Sequence, residues 1–174
     1  SLERVTGWTM AESCAALRRG EVDAVQVFEP FVSSLVADGT GHVWYAAATR
    51  GPTCYTTFYT RRCLLTSRRP ELHRVVRALY RTQQWIAAAT AEEIGDTIAG
   101  FFPDVPAAIL AASCQRYAGL GIWGRDPFLP RAGYDRLCAG LVSGGLVDTG
   151  VGFEIAVDNS IAEAVIAERP PPLA

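Results

Sequence analysis

Two short stretches place an aromatic ring at the start of a helix. Thr6-Gly7-Trp8-Thr9 leads into an alanine-rich segment, and Phe28-Glu29-Pro30 leads into a Phe/Val/Leu segment. The first amides of a helix have no partner within it, so both places suit an anionic or polar ligand. Trp8 and Phe28 supply an apolar wall for such a ligand. Glu29 modifies this chemistry. A carboxylate at a helix start competes with an anion for the same dipole, so a Glu29 that faces a cleft favours an amine-bearing or amidine-like ligand. The other reading of equal weight is that Glu29 caps its own helix.

Other chemistries have less support in the residues. The five cysteines, Cys14, Cys54, Cys63, Cys114 and Cys138, include no CxxC pair, and their odd number forbids complete pairing. Cys14, Cys114 and Cys138 sit in helical patterns and read as small buried hydrophobes. His42 and His73 are far apart and outside any HExxH arrangement. There is no GxSxG, no Walker sequence and no GxGxxG after a strand. The expectation is no metal, no cofactor and no catalytic residue.

The elements that position these residues follow from the hydrophobic pattern. Thr9 with Glu12 forms a capping box for a helix ended by Gly20, with Arg18 and Arg19 in its last turn. Residues 24–28 read as a short buried strand, Pro30 opens a helix that stops near Gly39, and residues 42–48 read as a strand. Residues 2–6 read as a short strand entering a loop. Residues 54–60, Cys-Tyr-Thr-Thr-Phe-Tyr-Thr, have the strongest strand composition in the chain. From Arg62 onward helix follows helix. A long one opens at Pro70 with an apolar side and a basic stripe of Arg74, Arg77 and Arg81, read as a solvated face. Further helices cover 91–102, 106–118 and 130–142. An extended piece follows at 153–157, then a helix capped by Asp158 or Asn159, and a stiff Pro170-Pro171-Pro172 tail. The alternation in the first third predicts a parallel α/β sheet that looks incomplete beside its helices.

Composition sets the outer limits. The chain has 174 residues with 49% apolar and 20% charged side chains, and a net charge of -2 from 16 basic and 18 acidic residues. This is globular composition, and its near-balance opposes nucleic-acid binding. No apolar run reaches bilayer-spanning length.

The strings Met10-Ala11-Glu12-Ser13, Ala16-Leu17-Arg18-Arg19-Gly20-Glu21-Val22-Asp23-Ala24 and Glu29-Pro30-Phe31 resemble the solute-binding proteins of ABC importers. The class is the nitrate, sulfonate, taurine and thiamine-precursor one (NMT1/THI5-like). Later strings are similar to its C-terminal helical region: Arg69-Pro70-Glu71-Leu72, Gln84-Trp85-Ile86, Phe102-Pro103-Asp104, Gly121-Ile122-Trp123 and Val157-Asp158-Asn159-Ser160-Ile161-Ala162.

The resemblance implies a periplasmic-binding-protein-like (type II) two-lobed α/β fold, incomplete here, with a helix-rich C-terminal half. By the resemblance, residues 1–52 are the remainder of the second lobe, strand-helix-strand-helix-strand. Residues 53–61 are a strand crossing between lobes, and 62–174 are the helical C-terminal part of the first lobe. Tyr55, Thr56 and Tyr59 on the crossing strand join Trp8, Thr9, Phe28 and Glu29 as candidate ligand contacts. The implied role is non-enzymatic: binding a small polar organic solute, sulfonate/taurine-like or thiamine-pyrimidine-like, for uptake. The implied partners are an ABC permease and an ATPase, and the implied location is periplasmic. The alternatives are a thiamine-pyrimidine biosynthesis enzyme of the same fold family and an effector-binding regulatory domain. The chain opens on Ser1-Leu2 with neither an initiator methionine nor a secretory segment, which reads as truncation. Either the chain is a fragment or another copy supplies the missing sheet.

Overall fold

A computed structural model describes residues 3–173. Its α-helices run α1 Met10–Arg18, α2 Phe31–Ala37, α3 Arg62–Ser67, α4 Arg69–Ala88, α5 Ala91–Ile98, α6 Ala107–Gly119, α7 Arg131–Ser143, α8 Phe153–Ala156 and α9 Ser160–Glu168. Ala47–Arg50 and Ala99–Phe101 are single 3-10 turns. The chain divides into two compact units. One holds the chain up to Ala46 together with Thr90–Gly119; the other holds Ala47–Ala89 and the chain from Leu120 on.

The first unit packs α1, α2, α5 and α6 around small and medium apolar side chains. Cys14 and Ala16 of α1, Leu35 of α2, Ala91 and Ile94 of α5, and Leu110 and Cys114 of α6 are all buried. Full burial stabilises a Leu or Ile by roughly 1.5–3 kcal/mol. α1 and α5 start identically. Thr9 and Thr90 accept from the amides of Glu12 and Glu93, whose carboxylates accept back from the threonine amides. Gly20 ends α1 with φ +70°, a conformation that glycine adopts without strain. Gly95 of α5 faces the backbone of α6: a Cβ there would lie 3.3 Å from the Ala111 nitrogen, so its lack of a side chain lets the two helices close up.

The second unit is built on the pairing of α4 with α9, where Ile161, Ala162 and Val165 are buried. One row of α4, spaced by four residues, reaches the C-terminal segment. Arg69 donates to Ser160 Oγ at 3.3 Å, and His73 and Arg77 meet the two oxygens of Glu168 at 2.6 and 3.4 Å. Arg81 donates to the Pro171 and Pro172 carbonyls at 2.8 and 3.2 Å. Two of the three arginines of the expected basic stripe therefore form a clasp: Arg77 and Arg81 belong to it, while Arg74 stays exposed. Just before α9, Asp158 accepts from the Ser160 amide at 2.9 Å, while the N-cap residue Asn159 turns its side chain away from the helix and exchanges two hydrogen bonds with the main chain of Leu129.

The expected α/β, two-lobed periplasmic-binding-protein-like architecture is corrected by this structure. Among the described residues there is helix but no strand or sheet. Residues 3–6, 24–28, 42–46 and 54–60 form neither helix nor ladder; 47–48 enter a 3-10 turn, and 153–156 are a helical turn. Leu2, placed at the head of the first expected strand, lies outside the described residues. The physical reason is that strand propensity measures fit to a pleated neighbour, not a backbone preference. A ladder needs a partner strand, and none faces these stretches among the described residues. Their aromatic residues remain exposed instead, Trp44 at 85% and Tyr59 at 95%.

Candidate functional site

α1 and its C-terminal cap Arg19 present Glu12, Ala15, Ala16 and Arg19, spaced i, i+3, i+4 and i+7, along one face. With Trp8 they line a surface hollow of about 260 Å³. This is near the low end of small-molecule sites, which run from about 300 Å³ upward. The two alanines keep the floor shallow, and the half-exposed Trp8 ring forms a wall. Glu12 and Arg19 stand at its ends, about 10 Å apart along the helix axis.

Both charges are prearranged. Glu12 Oε2 accepts from the Thr9 amide at 2.7 Å and the Thr9 hydroxyl at 2.8 Å. The amide, then the hydroxyl, hold its carboxyl below the usual range, so it stays ionised. Arg19 is gripped at both ends of its fork by Glu21, at 2.6 and 2.7 Å. That hydrogen bonding raises the arginine and lowers the glutamate. The hollow thus offers an aromatic face, a carboxylate and a neutralised guanidinium, an arrangement for holding a small ring or amine.

Thr9 caps α1, so its hydroxyl is already engaged by the helix. Phe28 is half exposed and its amide donates to Met10 Sδ of α1 at 3.5 Å, which ties the second predicted stretch to the first. Glu29 turns inward, its side chain only 4% exposed. Its Oε1 accepts from Arg116 Nε at 2.7 Å; its Oε2 accepts from the Ser33 amide at 2.9 Å and from Ser113 Oγ at 3.2 Å. The Ser33 amide belongs to the first turn of α2, so Glu29 caps its own helix. Each predicted helix start is thereby met by a carboxylate of its own, Glu12 for α1 and Glu29 for α2.

Tyr55, Thr56 and Tyr59 lie in the other unit, on an irregular exposed segment with a bend at Thr56. Among the described residues no three His, Cys, Asp or Glu side chains gather in a metal-binding group. Burial pushes the Cys14 and Cys114 thiols up, in keeping with their packing as small apolar groups. Sequence reasoning found Trp8 but missed Glu12, Ala15, Ala16 and Arg19 as lining. The signal was present in their spacing, which marks one helical face, but the residues were absorbed into explanations of capping, core and dipole.

The chain matches the NMT1-like family over residues 5–99, a span that contains α1 to α5 and the whole hollow. It is 27% identical over 155 residues to a Bacillus subtilis (strain 168) protein named "Putative binding protein YtlA", covering 88% of this chain and 46% of that protein. The chain spans about half the length of that relative. No solved structure matches. The family match covers more than half of the chain and takes in the Met10-Ala11-Glu12-Ser13 and Glu29-Pro30-Phe31 strings that carried the resemblance: the chain belongs to the NMT1-like family.

Proposed function

We propose that this chain binds a small polar organic solute, as part of the solute-binding component of an ABC importer. Binding, not catalysis, is the activity. The observation that supports it is the family match over the segment that forms the Trp8 hollow; the name of the Bacillus subtilis relative points the same way. The solute is sulfonate/taurine-like or thiamine-pyrimidine-like and carries an amine. Ionised Glu12 in the hollow supports an amine or a protonated ring nitrogen, and Trp8 supports a flat or apolar portion. Nitrate, with neither, fits poorly. A permease and an ATPase are the proposed partners, and the periplasm the proposed place of action.

Calorimetry with taurine and with a hydroxymethyl-aminopyrimidine tests this reading. Saturable binding of one of them is expected, accompanied by a change in tryptophan fluorescence. Trp8→Ala is expected to weaken it by about tenfold, the loss of roughly 1.4 kcal/mol of ring contact. Binding that ignores both Trp8→Ala and Glu12→Gln removes the hollow as the site. Heat-silent titrations with no thermal shift for either solute remove the solute class.

A further inference from the structure

The two charges of the Trp8 hollow are not equally open to a ligand. The partners of the Glu12 carboxylate are the amide and hydroxyl of Thr9, both uncharged. Arg19 is the opposite case: its fork donates to both oxygens of Glu21 at 2.6 and 2.7 Å. The neighbouring Arg18 is engaged as well, with Asp38 at 2.8 Å and Ser34 Oγ at 3.2 Å. The amides of α1 offer an anion no better place. Its capping box already meets the first turn, and the Arg19 end of the hollow is the carbonyl end of the helix. The uncompensated charge of the hollow is therefore negative.

The first unit as a whole extends this sign. It holds ten acidic side chains and four arginines, a formal charge of -6; the second unit holds eight and twelve, a formal +4, and together they give the -2 of the chain. Three of the first unit's arginines are ion-paired inside it, Arg18 with Asp38, Arg19 with Glu21 and Arg116 with Glu29. A unit of about 75 residues has a radius of gyration of about 11 Å, close to the ~10 Å screening length of 0.1 M salt. In dilute salt its negative excess reaches the hollow.

We propose that the hollow selects a net cation, with a flat or apolar body on Trp8, a protonated nitrogen at Glu12 and no acidic group. This rests on the hollow being the binding site, and it narrows the solute from amine-bearing to positively charged. A zwitterion such as taurine brings an acid that has to displace Glu21 from Arg19. Glu21 is tethered two residues along the chain, so its effective concentration is at least on the order of millimolar. The exchange also gains little, because one anion replaces another on the same guanidinium. An anion without an amine meets only Glu12 and the negative field of the unit. Glu21 is thus the specificity-determining residue: by occupying the Arg19 fork it closes the hollow to acids.

Three probes that share one ring and differ in charge test this: benzylamine, a cation; para-aminomethylbenzoate, a zwitterion; and benzoate, an anion. Their binding to the 174-residue chain is titrated by saturation-transfer NMR on the probe, which needs no signal from the protein. In about 0.01 M salt, benzylamine is expected to bind with a dissociation constant on the order of 1 mM, and the zwitterion at least about tenfold more weakly. Benzoate is expected not to bind. Raising the salt to about 0.15 M is expected to weaken benzylamine about threefold. Glu21→Gln frees the Arg19 fork and is expected to bring the zwitterion to within about threefold of benzylamine. Zwitterion or benzoate binding as tight as that of benzylamine, and lost in Trp8→Ala, overturns the charge selection while leaving the hollow as the site. A Glu21→Gln variant that gains nothing for the zwitterion overturns the part given to Glu21. Benzylamine binding that persists in both Trp8→Ala and Glu12→Gln, or no binding of any probe, overturns the hollow itself.

Discussion

Glu29 illustrates how far a single side chain can be moved by a partner that is remote in sequence. Its carboxylate is enclosed by Arg116, Ser113 and the Ser33 amide, 84 to 87 residues away for the two side chains. Glu29→Gln keeps the shape and removes the charge, leaving Arg116 without its counter-ion. A loss of about 2 kcal/mol in denaturant-measured stability is expected, since a hydrogen-bonded ion pair with one member buried is broken on one side only. Adding Arg116→Met to that variant is expected to recover part of the loss. The same variant answers the question of ligand contact. A weaker affinity for an amine-bearing solute places Glu29 in the site; unchanged affinity by calorimetry takes it out. The capping role was legible in the sequence as one of two readings, because capping is local. Arg116 and Ser113 were not, since nothing in a single chain marks partners that far apart.

At the scale of elements, the four-residue row of α4 converts a helix face into a fastener for the end of the chain. Arg81→Ala removes both hydrogen bonds to the Pro171 and Pro172 carbonyls. Carboxypeptidase trimming of the last residues is expected to speed up several-fold, while global stability falls by no more than about 1 kcal/mol. Unchanged trimming would show that the tail is held by Pro170 burial alone. Helices were readable in the sequence because their signals are short-ranged. Thr9 with Glu12, Gly20 and Pro70 lie within a turn of the boundaries they set. The stretches around 24–28, 42–48 and 54–60 were misread for the opposite reason. Their composition describes what they would do beside another strand, and a one-dimensional pattern holds no information on whether that strand is there. The hollow at Trp8 falls between these cases, with a legible helical face and an illegible concavity.

Across the whole molecule, carboxylates held below their usual range are unevenly shared. Glu12, Glu21, Asp38 and Glu93 belong to the first unit, and Asp158 to the second. Asp38 shows the largest effect: hydrogen bonds from Thr40 and then from Arg18 lower it from 3.8 to about 2. A carboxyl with a lowered folded value binds its proton more readily when unfolded. The stability it contributes is complete above its unfolded value and is lost as the pH falls toward the folded one. The first unit is therefore expected to lose protection ahead of the second on acidification from about pH 4.5 toward pH 2. Hydrogen exchange corrected for intrinsic rates, comparing amides of α1, α2, α5 and α6 with those of α4 and α9, measures this. The reverse order would show that buried apolar area, not carboxylate pairing, sets the acid response.

The interleaving of the two units also fixes an order of events during synthesis. α2 packs against α6, yet 70 residues separate Ala37 from Ala107. At about 5–20 residues per second, the apolar face of α2 leaves the ribosome on the order of 4–14 s before α6, the helix that packs on it. In that interval α3 and α4 are made and belong to the other unit; α5, made last, belongs to the first unit but packs chiefly on α6, which is still to come. The nascent chain thus carries the uncovered face of α2 for seconds, and holding chaperones have their longest opportunity there, next in the chain to the N-terminal stretch that forms the Trp8 hollow.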